Sequence, residues 1–278
     1  MHTFKLFIET TRIYNVIKKI TKLCLAGTLA LGSMGTALAA DEAATSPFAA
    51  ENFSATLTFT SNYIYRGLSF SKDDPAIQGS FDWSYGNVFA GIWASSLADQ
   101  SGSGYELEND FYIGYANSFA GIDWYVMPIY YHFYDDSTKD TAGAEADVFE
   151  IWLDASYAIN DTVSVHAMYA YSPDFFFESG DAHYIKADVT VNLPQGFVLN
   201  AGYGYQDVQG DNGDYVTDKG WDYTHWDIGI SKDLAGFNLD LRYSDTSEDS
   251  KTDTINTGFF VDTGNTDDTV TFTVSRSF

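Results

Sequence analysis

Apolar and polar residues alternate along twelve segments of this chain between residues 53 and 278. Residues 269–278 show the alternation most plainly, because Val270 and Phe272 fall on one face with other apolar residues while the intervening Thr and Ser residues fall on the opposite face. Arg276 is the exception on the apolar face. Successive side chains of a β-strand point to opposite sides, so a period of two predicts strands with one apolar face. The pattern therefore predicts an all-β chain.

In the first predicted strand, Tyr63 and Tyr65 share the apolar face with Leu57 and Phe59. Both faces of the segment 121–134 are aromatic, so its pattern does not show which face points outward. The predicted strands are, approximately, Phe53–Tyr65, Ala76–Tyr85, a third directly after Gly86-Asn87, Tyr105–Asn117, Gly121–Tyr134, Asp147–Ile159, Asp161–Tyr171, Ala182–Leu193, Gly196–Gln206, Tyr223–Leu234, Gly236–Ser244 and Asp267–Phe278.

The connections between these strands alternate between short and long. The short ones contain the Gly, Asn, Asp and Pro residues of tight turns: Gly86-Asn87, Asn117–Gly121, Asn160-Asp161, Pro194–Gly196 and Ala235-Gly236. The long ones are mostly acidic: Arg66–Pro75, Ala98–Gly104, Asp135–Ala146, Ser172–Asp181, Asp207–Asp222 and Asp245–Thr266.

A membrane β-barrel has short turns at one end and long loops at the other, whereas a β-sandwich has no reason to keep that order. Closure into a barrel would also remove the exposed edges of long aromatic strands. The sequence therefore predicts a transmembrane, antiparallel up-and-down β-barrel of about twelve strands, with both termini at the short-turn end.

The composition agrees with a membrane barrel. Tyr, Phe and Trp make up 17% of the residues, and such residues suit pleated surfaces and the aromatic girdles of membrane barrels. No apolar run after residue 40 approaches the ~20 residues of a membrane-spanning helix. A membrane location would therefore depend on the strands.

Residues 1–39 have the features of a secretory signal peptide, which leaves residues 40–278 as the outer-membrane barrel domain. Arg12 and three lysines precede the apolar, small-residue segment Leu23–Ala39, and Ala37-Leu38-Ala39 offers a small-x-small cleavage site. A transmembrane anchor is the alternative interpretation of this segment. Cys24 is the only cysteine in the sequence, so the mature chain would use no disulfide.

The chain is strongly acidic. Cleavage after residue 39 would remove five of the 14 basic and one of the 39 acidic residues, leaving 9 against 38 and a formal net charge of −29. A protein of this charge would repel a phosphate backbone, so nucleic acid is not an expected partner.

Several segments resemble the TorF family of outer-membrane porins. The blocks Ser61–Ser69 (SNYIYRGLS) and Pro75–Trp83 (PAIQGSFDW) match best, and the similarity continues through Gly91–Ser95, Glu106–Tyr115, Tyr130–Tyr134, Tyr223–Lys232 and the last strand. Asn62 departs from the acidic residue expected there. The resemblance covers most of the chain after residue 40 and implies a pore, but no particular solute.

Polar residues of the barrel strands are expected to face inward. A lumen rich in carboxylates attracts cations and repels anions, which would give a channel for passive diffusion of small hydrophilic, cationic solutes. Alternatively, the same charges form an ion-pair network that holds a closed barrel rigid, since twelve strands permit either outcome. The predicted pore-lining residues are Arg66, Asp82, Glu106, Glu108, Asp110, Glu150, Asp154, Lys186, Asp188, Asp227, Asp240 and Arg242.

Arg66 is the most interesting single residue, because it is placed at the end of the first strand, at a position whose side chain is expected to point into the barrel. We expect it to pair with inward carboxylates near the loop end and to help to fix the constriction of the lumen. The alternative is an exposed arginine at the rim.

An enzyme is a rival class, since some barrels carry Ser, His and carboxylate sites. Ser164 and His166 share a face of one strand, whereas His132, His183 and His225 are placed on other strands or close to strand ends. No third catalytic partner is specified, so we predict no catalytic residues and no enzymatic activity. The acidic loop 207–222 lacks the spacing of an EF-hand, so neither a metal site nor a cofactor is predicted, although weak divalent binding there is left open.

The predicted location is the outer membrane of a Gram-negative envelope. The partners would be outer-membrane lipid and lipopolysaccharide, small solutes and, during biogenesis, periplasmic chaperones and the barrel-assembly machinery. A third functional class is a surface-interaction barrel whose acidic loops engage a partner. Residues 41–52 contain no TonB box and no plug domain is evident, so active import is not expected.

Overall fold

The computed structural model describes residues 46–98, 106–134, 145–210, 220–247 and 266–278. Its strands are β1 (Phe53–Thr60), β2 (Ile64–Tyr65), β3 (Leu68–Ser69), β4 (Ala76–Tyr85), β5 (Val88–Ser96), β6 (Leu107–Phe119), β7 (Ile122–Phe133), β8 (Val148–Ala158), β9 (Val163–Ser172), β10 (Ala182–Asn192), β11 (Phe197–Val208), β12 (Trp221–Leu234), β13 (Phe237–Thr246) and β14 (Thr269–Ser277). Single 3-10 turns occur at Ala50–Asn52, Phe176–Glu178 and Pro194–Gly196.

Twelve of these strands form a closed antiparallel barrel. Each barrel strand pairs with its neighbours in the chain, and β1 closes the ring by pairing with β14, where Thr56 lies opposite Ser277. The predicted all-β barrel of twelve antiparallel strands is thereby confirmed. Strands β2 and β3 form a separate two-stranded sheet that does not join the barrel wall. Within the described residues, no helix has both the length and the apolar composition of a membrane span.

The short connections lie at one end of the barrel, here named the turn end. Ala120-Gly121 and Ala235-Gly236 both have positive φ at their two residues, the pattern of a type I′ turn, whose twist matches that of the flanking strands. The long connections lie at the opposite loop end, and parts of several of them fall outside the described residues. The predicted signal peptide and most of the acidic loop considered for divalent binding also lie outside the described residues.

Large apolar side chains cover the outer surface of the barrel. Every barrel strand contributes at least one that is exposed, as Leu57, Phe111, Ile185 and Phe272 illustrate. Arg276, the charged exception on the apolar face, is exposed and its guanidinium lies over the rings of Phe237 and Phe278. The alternation predicted from the sequence therefore places apolar residues outside and polar residues inside.

One prediction about the first strand is wrong. Strand β1 ends at Thr60, and the following residues fold into the barrel, so that Tyr63 is 1% exposed and Tyr65 is 7% exposed instead of facing outward. Residues 61–75, here named the inner hairpin, contain β2 and β3. Tyr65 and Leu68 pair across a two-residue turn made by Arg66 and Gly67, both with positive φ.

The segment 121–134, whose pattern did not show which face points outward, corresponds to β7, and the structure explains why. On β7 the inward side chains are themselves apolar, since Met127, Ile129, Tyr131 and Phe133 are all at most 2% exposed. Tyr131 packs on Tyr65 of the inner hairpin and Phe133 packs on Phe176, so this end of the inner face of β7 meets apolar rings instead of a polar lumen. Apolar residues consequently occupy both faces of this strand, and alternation could not orient it.

Candidate functional site

The interior of the barrel is the candidate functional site, and it has two parts. At the loop end it is filled by an aromatic cluster, here defined as Tyr63, Tyr65, Phe70, Phe133, Phe175 and Phe176. The ring of Phe176 lies 6.0 Å from that of Phe70 and 5.5 Å from that of Phe133, measured between centroids. The connection between β9 and β10 therefore also folds inward and packs on the inner hairpin.

Arg66 lies at the tip of the inner hairpin and is buried. Its guanidinium donates to Glu150 Oε2 at 2.6 Å and to Gln206 Oε1 at 2.7 Å, and it lies 4.1 Å from the ring centroid of Tyr184. Burial would lower the pKa of Arg66, but the Glu150 carboxylate and neighbouring tyrosines outweigh it and raise this pKa above its usual value. Arg66 therefore carries its charge inside the barrel.

The pairing of Arg66 with an inward carboxylate near the loop end, expected from the sequence, is present as the Arg66–Glu150 ion pair, whereas its role in fixing a constriction remains a prediction. The prediction that it ends a barrel strand is wrong, because Arg66 lies in the tight turn between β2 and β3, which are not strands of the barrel wall. Glu150 is an inward residue of β8 and also accepts hydrogen bonds from Tyr131 and Trp152. These two donors hold the carboxylate in place on the wall.

The second part is a series of ion pairs on the inner wall of β8 to β13, here named the ion-pair row: Asp154, His166, Lys186, Asp188, Asp227, Asp240 and Arg242. Lys186 Nζ lies 3.0 Å from both Asp188 Oδ1 and Asp227 Oδ2. Arg242 pairs with Asp227 and lies 3.4 Å from Asp240 Oδ2. The row thus links five of the six strands from β8 to β13 through charged hydrogen bonds, and β11 contributes none of its members.

A glycine makes room for this row. On β11, Gly202 lies between Asp188 and Asp227 in the register of the sheet. A Cβ at Gly202 would lie 2.6 Å from Lys186 Cε, which is too close for an unperturbed side chain. The absence of a side chain therefore allows Lys186 to reach both carboxylates across the strand.

His166 is held by two carboxylates. Its Nε2 lies 2.6 Å from Asp154 Oδ2 and its Nδ1 lies 3.0 Å from Asp188 Oδ2. An ionised carboxylate only accepts hydrogen bonds, so both ring nitrogens must donate. His166 then has no free nitrogen with which to activate Ser164, the serine considered for catalysis. The other described histidines, His132, His183 and His225, contact tyrosines or Asp147.

On the opposite part of the wall, three more predicted carboxylates are buried. Asp82 accepts hydrogen bonds from Tyr112 and from Ser80. Glu108 and Asp110 are each 1% exposed on β6. Tyr63 Oη lies 3.4 Å from Glu108 Oε1, whereas no described cation lies within ion-pair distance of either carboxylate.

The structure places eleven of the twelve predicted pore-lining residues in the interior. The exception is Glu106, which precedes β6 and is exposed, so strand parity does not apply to it. Sequence reasoning missed His166, Asn200 and Gln206 as wall residues, although strand parity could have found them. It also missed Tyr65 and Phe176, for which the alternation carries no signal. In the described part of the chain, no three His, Cys, Asp or Glu side chains are grouped to hold a metal ion.

The chain belongs to a family described as "Bacterial protein of unknown function (Gcw_chp)", whose model matches residues 41–278. No curated protein matches it. The resemblance to the TorF family noted from the sequence remains a prediction.

Among solved structures, similar chains include a KdgM porin in complex with disordered oligogalacturonate, at 6% identity and a TM-score of 0.48, covering 81% of this chain and 97% of that one. Salmonella typhi OmpF in complex with daunomycin is 11% identical, with a TM-score of 0.44 and coverage of 81% and 96%. In vitro folded OmpT, an outer membrane protein of Vibrio cholerae, is 10% identical, with a TM-score of 0.38 and coverage of 81% and 96%.

Proposed function

We propose that this protein is an outer-membrane channel for passive diffusion of small hydrophilic, cationic solutes. The observation that carries the proposal is the charge of the inner wall. Of the predicted pore-lining residues found in the interior, eight are carboxylates and three are basic: Asp82, Glu108, Asp110, Glu150, Asp154, Asp188, Asp227 and Asp240 against Arg66, Lys186 and Arg242. His166, whose two ring nitrogens both donate, adds a fourth cation, so carboxyl groups still outnumber cations by eight to four. An excess of ionised carboxylates raises the local concentration of cations.

The outer surface supports the membrane location. A soluble protein rarely exposes a contiguous apolar patch larger than a few hundred Å², yet exposed Ile, Leu, Val, Phe, Tyr and Trp side chains occur on all twelve barrel strands. A closed barrel has no unpaired strand edge, which a bilayer requires. Lipid and lipopolysaccharide would then surround the barrel, and the family resemblance noted above is consistent with export to the outer membrane.

The test is to reconstitute the purified barrel in planar bilayers and measure the reversal potential under a salt gradient. We expect discrete conductance steps with a preference for cations. Asp82→Asn should reduce that preference, because Asp82 has no cationic partner among the described residues. Asp161→Asn, at an exposed position of the turn end, is the matched control and should leave the preference unchanged. Anion preference, or no steps at all, would contradict the proposal.

A non-conducting barrel is the second candidate, and the inner hairpin favours it. The aromatic cluster and Arg66 fill the loop end, and the ion-pair row stiffens the wall, as expected of a structural or surface-interaction barrel. A hydrolase is less well supported, because both ring nitrogens of His166 are occupied by carboxylates. If the protein gives no conductance steps in bilayers and hydrolyses neither lipid nor ester substrates, the structural candidate is favoured.

A further inference from the structure

We infer that the inner hairpin is a displaceable plug, latched in the closed position by Arg66, and that conduction requires the hairpin to leave the interior. The inference rests on the proposed channel function. It concerns a specific moving part, residues 61–75, and a specific contact, the ion pair between Arg66 and Glu150.

The hairpin spans the barrel from one side to the other. It emerges between β1 and β4, which are adjacent in the ring. Its tip contacts β8 through Glu150 and β11 through Gln206, and a Cβ at Gly67 would lie 2.7 Å from Thr246 Cγ2 of β13. Strands β8 and β11 lie on the far side of the twelve-stranded ring, whereas β13 is separated from β1 only by β14. The hairpin therefore crosses the path that a solute would take.

The hairpin is also a unit of its own. It forms a separate sheet, and Asn62 ties it together internally by accepting from Ser69 and Ser71 and donating to Asp73. Among the described residues, its backbone hydrogen bonds to the rest of the chain run from Ser61 N to Phe272 O at its root and from Ala98 N to Phe70 O. It can therefore leave the interior without breaking the ladders of the barrel wall.

Besides the contact of Tyr63 Oη with Glu108 Oε1, the hairpin is held by aromatic packing and by Arg66. Tyr65 and Phe70 pack on Phe176 and on the inner face of β7, and such packing has no single directional bond. Arg66 supplies a charged contact with a fixed partner, because Glu150 is held on the wall by Tyr131 and Trp152. Loss of either charge would leave the other buried without a counter-charge, which is strongly unfavourable. The Arg66–Glu150 pair is therefore the latch.

The latch can be tested without any channel recording, by the rate at which a water-soluble thiol reagent modifies a cysteine in the hairpin. The natural cysteine is first removed by Cys24→Ser, and Leu68→Cys then provides the probe, since Leu68 is 1% exposed. In liposomes we expect slow modification when the latch is intact. Arg66→Glu and Glu150→Arg should each accelerate modification by at least about tenfold, and the double exchange should restore the slow rate.

Bilayer recordings of the same variants provide the second readout. Both single variants should conduct more often or with larger steps than the double exchange. As a control for misfolding, the heat resistance of the folded barrel in detergent is compared among the variants. Arg66→Lys is a milder variant that keeps the positive charge. We expect Arg66→Lys to give an intermediate rate, because Lys cannot make the forked contact to Glu150 and Gln206.

The outcomes separate the latch from the channel. Slow modification in both single variants would overturn the inference whatever the conductance. Faster modification in both, with no conductance in any variant, would overturn the channel and with it the claim that the hairpin gates conduction. Faster modification and larger conductance in the single variants, both reversed by the double exchange, would support the inference as stated.

Discussion

The two parts of the barrel interior are built in opposite ways. The ion-pair row lies on the barrel strands themselves, so each charged side chain reaches a partner on a neighbouring strand, as Lys186 reaches Asp188 and Asp227. The aromatic cluster at the loop end is assembled mainly from connections, since Tyr65 and Phe176 come from long segments between barrel strands. The wall is therefore charged and fixed, whereas the filling of the loop end is apolar and detachable.

This difference suggests a division of labour. Charges that belong to the wall are present whether or not the hairpin is in place, so they can select ions in an open barrel. The hairpin controls whether there is a path at all. Substitutions in the row should consequently alter the stability of the barrel, whereas substitutions in the aromatic cluster should alter the position of the hairpin.

The largest effect on stability should come from the ion-pair row. Asp227→Asn removes a carboxylate shared by Lys186 and Arg242, both buried. Breaking a buried ion pair costs on the order of 3 kcal/mol or more, so the free energy of unfolding, measured by urea titration in detergent, should fall by about that amount. Asp233→Asn, exposed at the turn end, is the control. Equal effects of the two substitutions would show that the row does not stabilise the barrel.

A smaller effect on the barrel is expected from Phe176→Ala in the aromatic cluster. Removing a buried phenyl ring costs about 3 kcal/mol locally, but the hairpin can respond by leaving the interior while the barrel remains folded. We expect faster modification of the Leu68→Cys probe and a nearly unchanged urea midpoint. Phe119→Ala, on an exposed ring of the turn end, should change neither. A large fall in the urea midpoint would show that the cluster is part of the barrel core.

The smallest effect is expected at Glu108 and Asp110. Both are buried without a described cationic partner, and burial of an uncompensated carboxyl is unfavourable. The double substitution Glu108→Gln and Asp110→Asn should leave the free energy of unfolding unchanged or raise it by up to about 1 kcal/mol. This would contrast with Asp227→Asn, where the carboxylate has two cations. A fall comparable with that of Asp227→Asn would mean that the pair has a stabilising partner.

The sequence predicted the repeating part of the molecule well. The bounds Ala76–Tyr85 agree with β4, and strand parity placed Lys186, Asp188 and Asp227 inside, because a period of two depends only on local chain geometry. The alternation gave the wrong orientation for side chains where the chain leaves the barrel wall. Tyr63 and Tyr65 continue the alternation of β1 but belong to the hairpin.

The partner of Arg66 shows the same limit. An inward carboxylate was predicted for it, yet Glu150 could not be singled out, because the contact joins residues separated by 84 positions across the lumen. The apolar inner face of β7 likewise has meaning only once the hairpin packs on it. These features depend on tertiary contacts that alternation does not encode.

The most direct test of the account is a bilayer comparison of the full-length protein with a variant in which residues 61–75 are replaced by a short Gly-Ser connection. The account predicts a higher open probability in the variant, because no hairpin remains to close the interior, and a preference for cations in both proteins, since the carboxylates of the wall are retained. Equal open probability in the two proteins, anion preference, or no conductance steps in either would contradict it.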